Sequence, residues 1–187
     1  SVLARFATTA EDALIPINLI QKARETELDP KGAGITWGGD VARYGRDTSC
    51  MCKRQGPCIL DLRQKKGMDT QSVASWFELE AQGQPICVDE IGVGAGVVDA
   101  LRARGVKGVV AVNVSQAARD TEKYLNKRAE YFWALRTRFE RGEIDLTHLP
   151  RDTYDRLAAQ LSSIRYKFSK GKLQIESKDD MRKRGPS

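Results

Sequence analysis

Residues 34–47 read Gly-Ile-Thr-Trp-Gly-Gly-Asp-Val-Ala-Arg-Tyr-Gly-Arg-Asp. The apolar residues at the start of this stretch predict a β-strand over residues 35–42, near whose end lies the carboxylate of Asp40. Glycines on both sides of this acid allow another group to approach closely. The stretch therefore predicts a strand that delivers an acid to the edge of a sheet. The alternative is that Asp40 caps the next turn by accepting a hydrogen bond near Ala42.

A second stretch has the same pattern of an apolar run, an acid and glycines. Residues 85–96 read Pro-Ile-Cys-Val-Asp-Glu-Ile-Gly-Val-Gly-Ala-Gly, which predicts a strand over residues 86–89 followed by a glycine-rich turn. Side chains alternate along a strand, so only one of Asp89 and Glu90 readily shares a ligand with Asp40. We favour Asp89, with Glu90 as the alternative. A purely structural reading makes Asp89 an acid at the N-terminus of the next helix.

Acids at the ends of neighbouring strands predict a particular chemistry. Hard divalent cations take oxygen ligands, and pairs of such ions about 3.5–4 Å apart catalyse phosphodiester displacement. The two stretches therefore predict a metal-dependent nuclease with Asp40 and Asp89 as its catalytic, metal-binding residues. Asp47, in the turn after the first strand, either orients a metal-bound water or only closes the turn.

The remaining pattern predicts a mixed α/β domain. The chain of 187 residues is long enough for one ordinary domain with a core. Three antiparallel strands are expected first, then two parallel strands joined by a helix, and last a hairpin around Lys170-Gly171. The predicted strands are 35–42, 48–54, 58–63, 86–89 and 109–112, the hairpin is 165–176, and the helices are 17–27, 70–82, 97–104, 122–141 and 150–162.

The charge of the chain is positive and uneven. Its 31 Lys and Arg against 25 Asp and Glu give a net charge of +6. Most of the excess lies in the cluster Arg63, Lys65 and Lys66 and in residues 119–141 and 167–184. Such basic stretches permit binding to nucleic acid phosphates, although a solvated surface has the same composition. A protruding ribbon can enter a DNA groove, so the hairpin is preferred over the long helix. The candidate DNA-binding residues are Lys127, Arg128 and Arg136 on the helix, and Lys167, Lys170 and Lys172 on the hairpin.

Two further features bear on function class. No apolar run reaches the roughly 20 residues that a membrane helix needs, and four cysteines in strand-like runs are expected to be buried free thiols, so a cytosolic protein is predicted. The run Gly92-Val-Gly-Ala-Gly96 lacks the G-x-G-x-x-G spacing of dinucleotide sites and favours a tight turn. Two rival functions remain: a Rossmann-like nucleotide-binding module that uses this run, and a non-catalytic domain that docks on DNA or on a packaging partner.

Four segments together resemble a known family. G-G-D-V-A-R-Y-G-R-D, V-D-E-I-G-V-G-A-G-V-V-D-A-L, N-K-R-A-E-Y-F-W and E-S-K-D-D-M-R-K-R-G-P-S are similar, in this order, to the C-terminal nuclease domain of the large terminase subunits of tailed bacteriophages. The resemblance implies an RNase H-like fold that binds two Mg²⁺ or Mn²⁺ ions and cuts concatemeric double-stranded DNA during genome packaging. It also implies the small terminase subunit and the portal protein as partners, and the host cytoplasm as location.

The resemblance assigns the carboxylates as well. Asp40 matches the family's first-strand acid and Asp89 the acid that ends the fourth strand. The family's third acid follows a basic, Arg-Gly-containing segment like the one that ends here at Ser187, and the nearest acids in this chain are Asp179 and Asp180. Residues 1–31 are expected to be a linker from an N-terminal ATPase domain, and residues 32–187 a nuclease domain cut short at its C-terminal end.

Overall fold

The structure, a computed structural model, describes residues 12–43, 45 and 47–185. The chain divides into two compact units, the sheet unit Leu28–Val114 and the hairpin unit that comprises Ser1–Glu27 and Ser115–Ser187. The elements in chain order are α1 (Ile17–Glu25), β1 (Ile35–Asp40), β2 (Thr48–Gln55), β3 (Cys58–Lys66), α2 (Thr70–Ala81), β4 (Ile86–Asp89), α3 (Gly94–Ala103), β5 (Val109–Val112), α4 (Lys127–Glu140), α5 (Arg151–Ser163), β6 (Tyr166–Ser169), β7 (Lys172–Ile175) and α6 (Lys178–Arg184).

The sheet unit is built on a five-stranded mixed sheet in the order β3-β2-β1-β4-β5. The first three strands are antiparallel neighbours, whereas β4 is parallel to both β1 and β5. This arrangement confirms the predicted sequence of three antiparallel strands followed by parallel ones. β1 lies at the centre, where it pairs with β2 on one side and with β4 on the other.

Helices α2 and α3 cover one face of this sheet. Trp37 is paired with Ile86, and Gly39 with Val88, and these positions face the helices. The core of the unit consists of Trp37, Met51, Val73, Ala74, Trp76, Phe77, Ala81, Ile86, Val88, Val97, Val98, Ala100 and Leu101. Burial of this apolar layer is what fixes the register of β1 against β4, because a slip by one residue would turn every side chain to the other face.

The opposite face of the sheet, here called the open face, carries the alternate residues of each strand, among them Gly38, Cys87 and Val110. Cys87 is exposed, and Val110 retains 49% of its accessible surface. The prediction of four buried thiols is therefore wrong for Cys87, and partly so for Cys50 and Cys52, which are of intermediate exposure; only Cys58 is buried.

The hairpin unit packs helices against a two-stranded ribbon. Arg24 of α1 donates hydrogen bonds to the carbonyl oxygens of Leu146 and Leu149, at 2.8 and 2.5 Å, and its guanidinium lies 5.0 Å from the ring centroid of Tyr154. β6 and β7 are antiparallel, and both turn residues between them, Lys170 and Gly171, have positive φ of 51° and 78°. Two residues with positive φ are typical of a hairpin turn matched to strand twist, so the predicted hairpin is confirmed.

Three helices depart from the predicted pattern. Helix α3 begins at Gly94, three residues before the predicted start. The long basic helix begins at Lys127 and not at residue 122, because Asn126 caps it by accepting from the Ala129 amide at 3.0 Å. The preceding residues instead run along β7, where the Leu125 amide donates to the Leu173 carbonyl at 3.0 Å. Helix α6 was not predicted.

None of the helices in the described part of the chain is both long and apolar enough to cross a bilayer.

Candidate metal centre

Asp40 and Asp89 are the last residues of two adjacent parallel strands. The final residue pair in the ladder between β1 and β4 is Gly39 with Val88, so Asp40 and Asp89 follow it by one residue on each strand. Neighbouring strands lie about 4.8 Å apart, and residues at equivalent positions project their side chains to the same face. The structure therefore brings these two predicted site residues side by side at one edge of the sheet.

The carboxylates of this pair project from the open face. Val88 is fully buried beneath the helices, and Gly39 faces Phe77 of α2, so the residues that follow them alternate to the opposite side. Asp40 is exposed and Asp89 is of intermediate exposure. A cation that approaches from solvent can thus reach both side chains without displacing the apolar core.

The turn after β4 holds Asp89 in place. One carboxylate oxygen of Asp89 accepts a hydrogen bond from the Ile91 amide at 3.1 Å, and Gly92 adopts a positive φ of 66°. Helix α3 then begins so close to the strand that a Cβ on Gly94 would overlap the carbonyl oxygen of Asp89. Only the first two residues of the glycine run lie in the turn, whereas Gly94 and Gly96 already belong to α3. Gly94 is required by the contact between helix and strand.

Asp40 lies next to Ala42 and Ser49 at the ends of β1 and β2. The Ala42 amide, one possible donor for a capping role of Asp40, donates to the hydroxyl of Ser49 at 3.0 Å. Cys50 is the residue opposite Asp40 on β2. Burial, and secondly the charge of Asp40, raise the pKa of the Cys50 thiol, so this sulfur stays protonated near neutral pH. The carboxylate oxygens of Asp40 and Asp89 are ligands that suit Mg²⁺ and Mn²⁺.

Glu90 and Asp47 are less well placed to join the pair. The Glu90 amide donates to the Val112 carbonyl at 2.9 Å, which continues the ladder between β4 and β5 and turns its side chain away from that of Asp89. Within the described residues, Asp40, Asp89 and Glu90 do not form a group of three carboxylates whose oxygens all lie within 4.8 Å of one another. Asp47 lies exposed in the loop before β2.

Asp179 and Asp180 lie on α6 in the hairpin unit. Asp180 completes a capping box with Ser177, whose amide and hydroxyl donate to its carboxylate at 3.3 and 2.7 Å. These hydrogen bonds lower the pKa of the Asp180 carboxyl. Asp179 is exposed and lies 3.9 Å from Arg182. Interactions at α6 therefore explain the presence of both acids.

The predicted DNA-binding residues differ in how far they are already engaged. Arg136 lies 4.7 Å from the centroid of Trp133 and donates to Glu140 at 2.8 Å, and Lys127 donates to Gln116 at 2.6 Å. Arg128 covers the ring of Phe132 at 4.9 Å. On the hairpin, by contrast, Lys167 and Lys170 are exposed and Lys172 is partly exposed. No described acid forms an ion pair with any of these three lysines.

Sequence reasoning missed two neighbours of these candidates. Cys50 lies beside Asp40, which the hairpin register between β1 and β2 would reveal once the strand ends are known. Phe168 retains 66% of its surface on the basic hairpin and packs edge-on against Tyr166 at a centroid distance of 6.1 Å. The alternation Tyr-Lys-Phe-Ser was the available signal, because it places the two rings on one side of the ribbon.

Solved structures with the same fold are nuclease domains of large terminase subunits. A variant of this domain from bacterial virus Sf6, solved with manganese and β-thujaplicinol, is 21% identical, with 94% of this chain and 92% of that chain covered and a TM-score of 0.80. The corresponding domain from thermophilic phage G20c, solved with magnesium, is 14% identical, with 92% and 94% covered and a TM-score of 0.66. No protein-family model matches the chain, and no curated protein does. The likeness confirms the RNase H-like fold that the resemblance implied.

Proposed function

We propose that this chain is the metal-dependent endonuclease domain of a phage large terminase subunit, which cuts concatemeric double-stranded DNA in the host cytoplasm during genome packaging. The observation that carries the proposal is the level placement of Asp40 and Asp89 at the ends of adjacent parallel strands, on the open face. The fold supports it, since structures of 0.80 and 0.66 TM-score are nuclease domains solved with divalent metals.

Each carboxylate has its own role in this proposal. Asp40, on the central strand, would hold two divalent cations, and Asp89 would ligate one of them, with Glu90 as the alternative. Bound Mg²⁺ or Mn²⁺ would supply a nucleophilic water at neutral pH and stabilise the leaving 3′ oxygen. The turn that hydrogen-bonds Asp89 keeps its carboxylate oriented, so little reorganisation is needed when a cation binds.

DNA binding is assigned to the hairpin unit. Lys167, Lys170 and Lys172 present three ammonium groups on one ribbon and would contact phosphates with little sequence readout. Lys127 and Arg128 on α4 would add contacts only where their present partners are exchanged for phosphate. By the family resemblance, the small terminase subunit and the portal protein are the proposed protein partners.

The decisive experiment compares plasmid nicking in Mn²⁺ by the wild type, Asp40→Asn and Asp89→Asn, with Mn²⁺ affinity measured in parallel by calorimetric titration. Loss of a metal ligand removes several kcal/mol of transition-state stabilisation, so we expect about a 10³-fold lower rate. Both variants should also bind Mn²⁺ more weakly. Asp99→Asn is the matched control, since it removes the same charge from an exposed site on α3.

Two results would contradict the assignment. Cleavage by Asp40→Asn at the wild-type rate would remove Asp40 from the site. DNA binding that survives the removal of both Asp40 and Asp89 and does not depend on metal would favour the rival docking domain. The nucleotide-binding rival fits poorly, because dinucleotide-binding sheets are mostly parallel, whereas β1, β2 and β3 are antiparallel.

A further inference from the structure

Two consecutive glycines in β1 have different relationships to the rest of the structure. A Cβ on Gly39 would overlap Phe77 Cε2 and lie 2.9 Å from Phe77 Cζ, so packing on the helix-covered face requires glycine there. A Cβ on Gly38 would meet no described atom within 4 Å. Gly38 is also absent from the residues with positive φ, so its backbone is one that any amino acid can adopt. Neither packing nor conformation accounts for this glycine.

Gly38 lies close to the two candidate carboxylates. It pairs with Cys52 on β2 and with Cys87 on β4, in the middle of the sheet and on the open face. It precedes Asp40 by two residues on the same strand, so both project from that face. Cys87 beside it is exposed. On the open face, β1 therefore has no side chain at the position just before the carboxylate pair.

Glycine inside a strand weakens the strand, and it is typical of places where a ligand or another backbone approaches closely. No described part of the chain fills the space above Gly38. We propose that Gly38 is a substrate-positioning residue: the sugar-phosphate backbone of the DNA strand to be cut passes over it on the way to Asp40 and Asp89. This inference rests on the proposed nuclease function.

A side chain at position 38 would hold the strand away from the sheet. Displacement of a reacting group by about 1 Å costs on the order of 10²-fold in rate. The carboxylates themselves would be undisturbed, because the open space above Gly38 accommodates a Cβ without contact. Metal binding and DNA cleavage should therefore separate in variants at this position.

The experiment uses Gly38→Ala and Gly38→Val in the full chain, with Thr36→Val as the matched control on the same face and further from Asp40. Four quantities are measured: the thermal unfolding midpoint, Mn²⁺ affinity by calorimetry, affinity for a fluorescent 30-bp duplex in Ca²⁺ by anisotropy, and plasmid nicking in Mn²⁺. We expect unchanged Mn²⁺ affinity and an unfolding midpoint at or above that of the wild type, since alanine and valine suit a strand better than glycine. Nicking should fall by about 10²-fold for valine and less for alanine, and duplex affinity should fall for valine.

Other outcomes overturn the inference. If Gly38→Val nicks DNA and binds the duplex as the wild type does, nothing passes over this position. If both variants lower the unfolding midpoint, the glycine serves the fold and not the substrate. Absence of nicking by the wild type would count against the proposed function alone, because the anisotropy comparison in Ca²⁺ still decides whether Gly38 lies beneath DNA.

Discussion

Gly39 and Phe77 are in direct contact across the interface between β1 and α2, with no room for even one additional methyl group on the strand. Phe77 is fully buried, so its ring can yield only by disturbing the core. Overpacking of this kind costs about 1–3 kcal/mol. For a chain of this size each kcal/mol lowers the unfolding midpoint by about 2–4 °C. Gly39→Ala should therefore unfold several degrees below the wild type, as measured by circular dichroism.

The control for this prediction is a second substitution at the same contact. Combining Gly39→Ala with Phe77→Leu removes the ring atoms that would overlap the new methyl group. We expect the double variant to lose less stability than the sum of the two single variants, since coupled sites are not additive. Strict additivity would show that Gly39 and Phe77 do not interact in solution.

Gly94→Ala should weaken the proposed metal site, although Gly94 is not one of its proposed ligands. The new methyl group would overlap the carbonyl oxygen of Asp89, so either α3 or the end of β4 must move. We expect lower stability together with weaker Mn²⁺ binding, measured by urea unfolding and by calorimetry. Gly96→Ala, two residues further along the same helix, meets only a side-chain methyl of Thr70 at 3.1 Å and should have a much smaller effect on both quantities.

Replacing the hairpin lysines should change how DNA binding depends on salt. Each phosphate contact contributes about 0.9 to the slope of log affinity against log salt concentration. The triple variant Lys167→Gln, Lys170→Gln, Lys172→Gln should reduce the slope by about 2–3, as measured by anisotropy from 50 to 200 mM NaCl. Lys22→Gln, an exposed charge on α1, should leave the slope unchanged. A triple variant with the wild-type slope would place the DNA elsewhere.

The cysteines should differ sharply in reactivity. Burial, then the neighbouring Cys50, raise the pKa of Cys52 from 9.0 to about 11, so almost no thiolate exists at pH 8. Cys87 is exposed, and a thiol reagent at pH 8 should modify it first, as followed by mass spectrometry of the peptides. Fast modification of Cys52 under these conditions would contradict its raised pKa.

The Cys52 thiol makes the free energy of unfolding depend on pH in the alkaline range. The folded state keeps the Cys52 proton more tightly than the unfolded state, since its folded pKa of about 11 exceeds the ordinary 9.0. Its contribution is therefore complete below pH 9 and is lost as the pH rises to 11. Urea unfolding of the wild type and of Cys52→Ala at pH 8 and pH 10.5 should show the larger loss in the wild type.

The strands could be predicted because their signals are local. Asp40 and Asp89 were placed at strand ends by apolar runs that stop at glycine-rich turns, and the turn around Lys170-Gly171 fixed the last hairpin. The pairing of the two acids was expected from the family resemblance and not from local signals, because β2 and β3 lie between β1 and β4 in sequence. The assignment of roles to those acids remains a prediction.

Features that depend on tertiary contacts were not accessible in the same way. Helical spacing continues back to residue 122, but the backbone there bonds to Leu173, which is distant in sequence. The exposure of Cys87 depends on which face of the sheet α2 and α3 cover, and the pattern Ile-Cys-Val does not reveal that. Helix α6 was different, because Ser177 followed three residues later by Asp180 resembles a capping box and was readable.

The apolar pairs Trp37 with Ile86 and Gly39 with Val88 set the height at which two charged side chains meet. Core residues that take no part in the proposed reaction thus fix the relative position of its two carboxylates. A larger or polar residue in place of Val88 would disturb this register. It should therefore weaken metal binding even though both proposed ligands are still present.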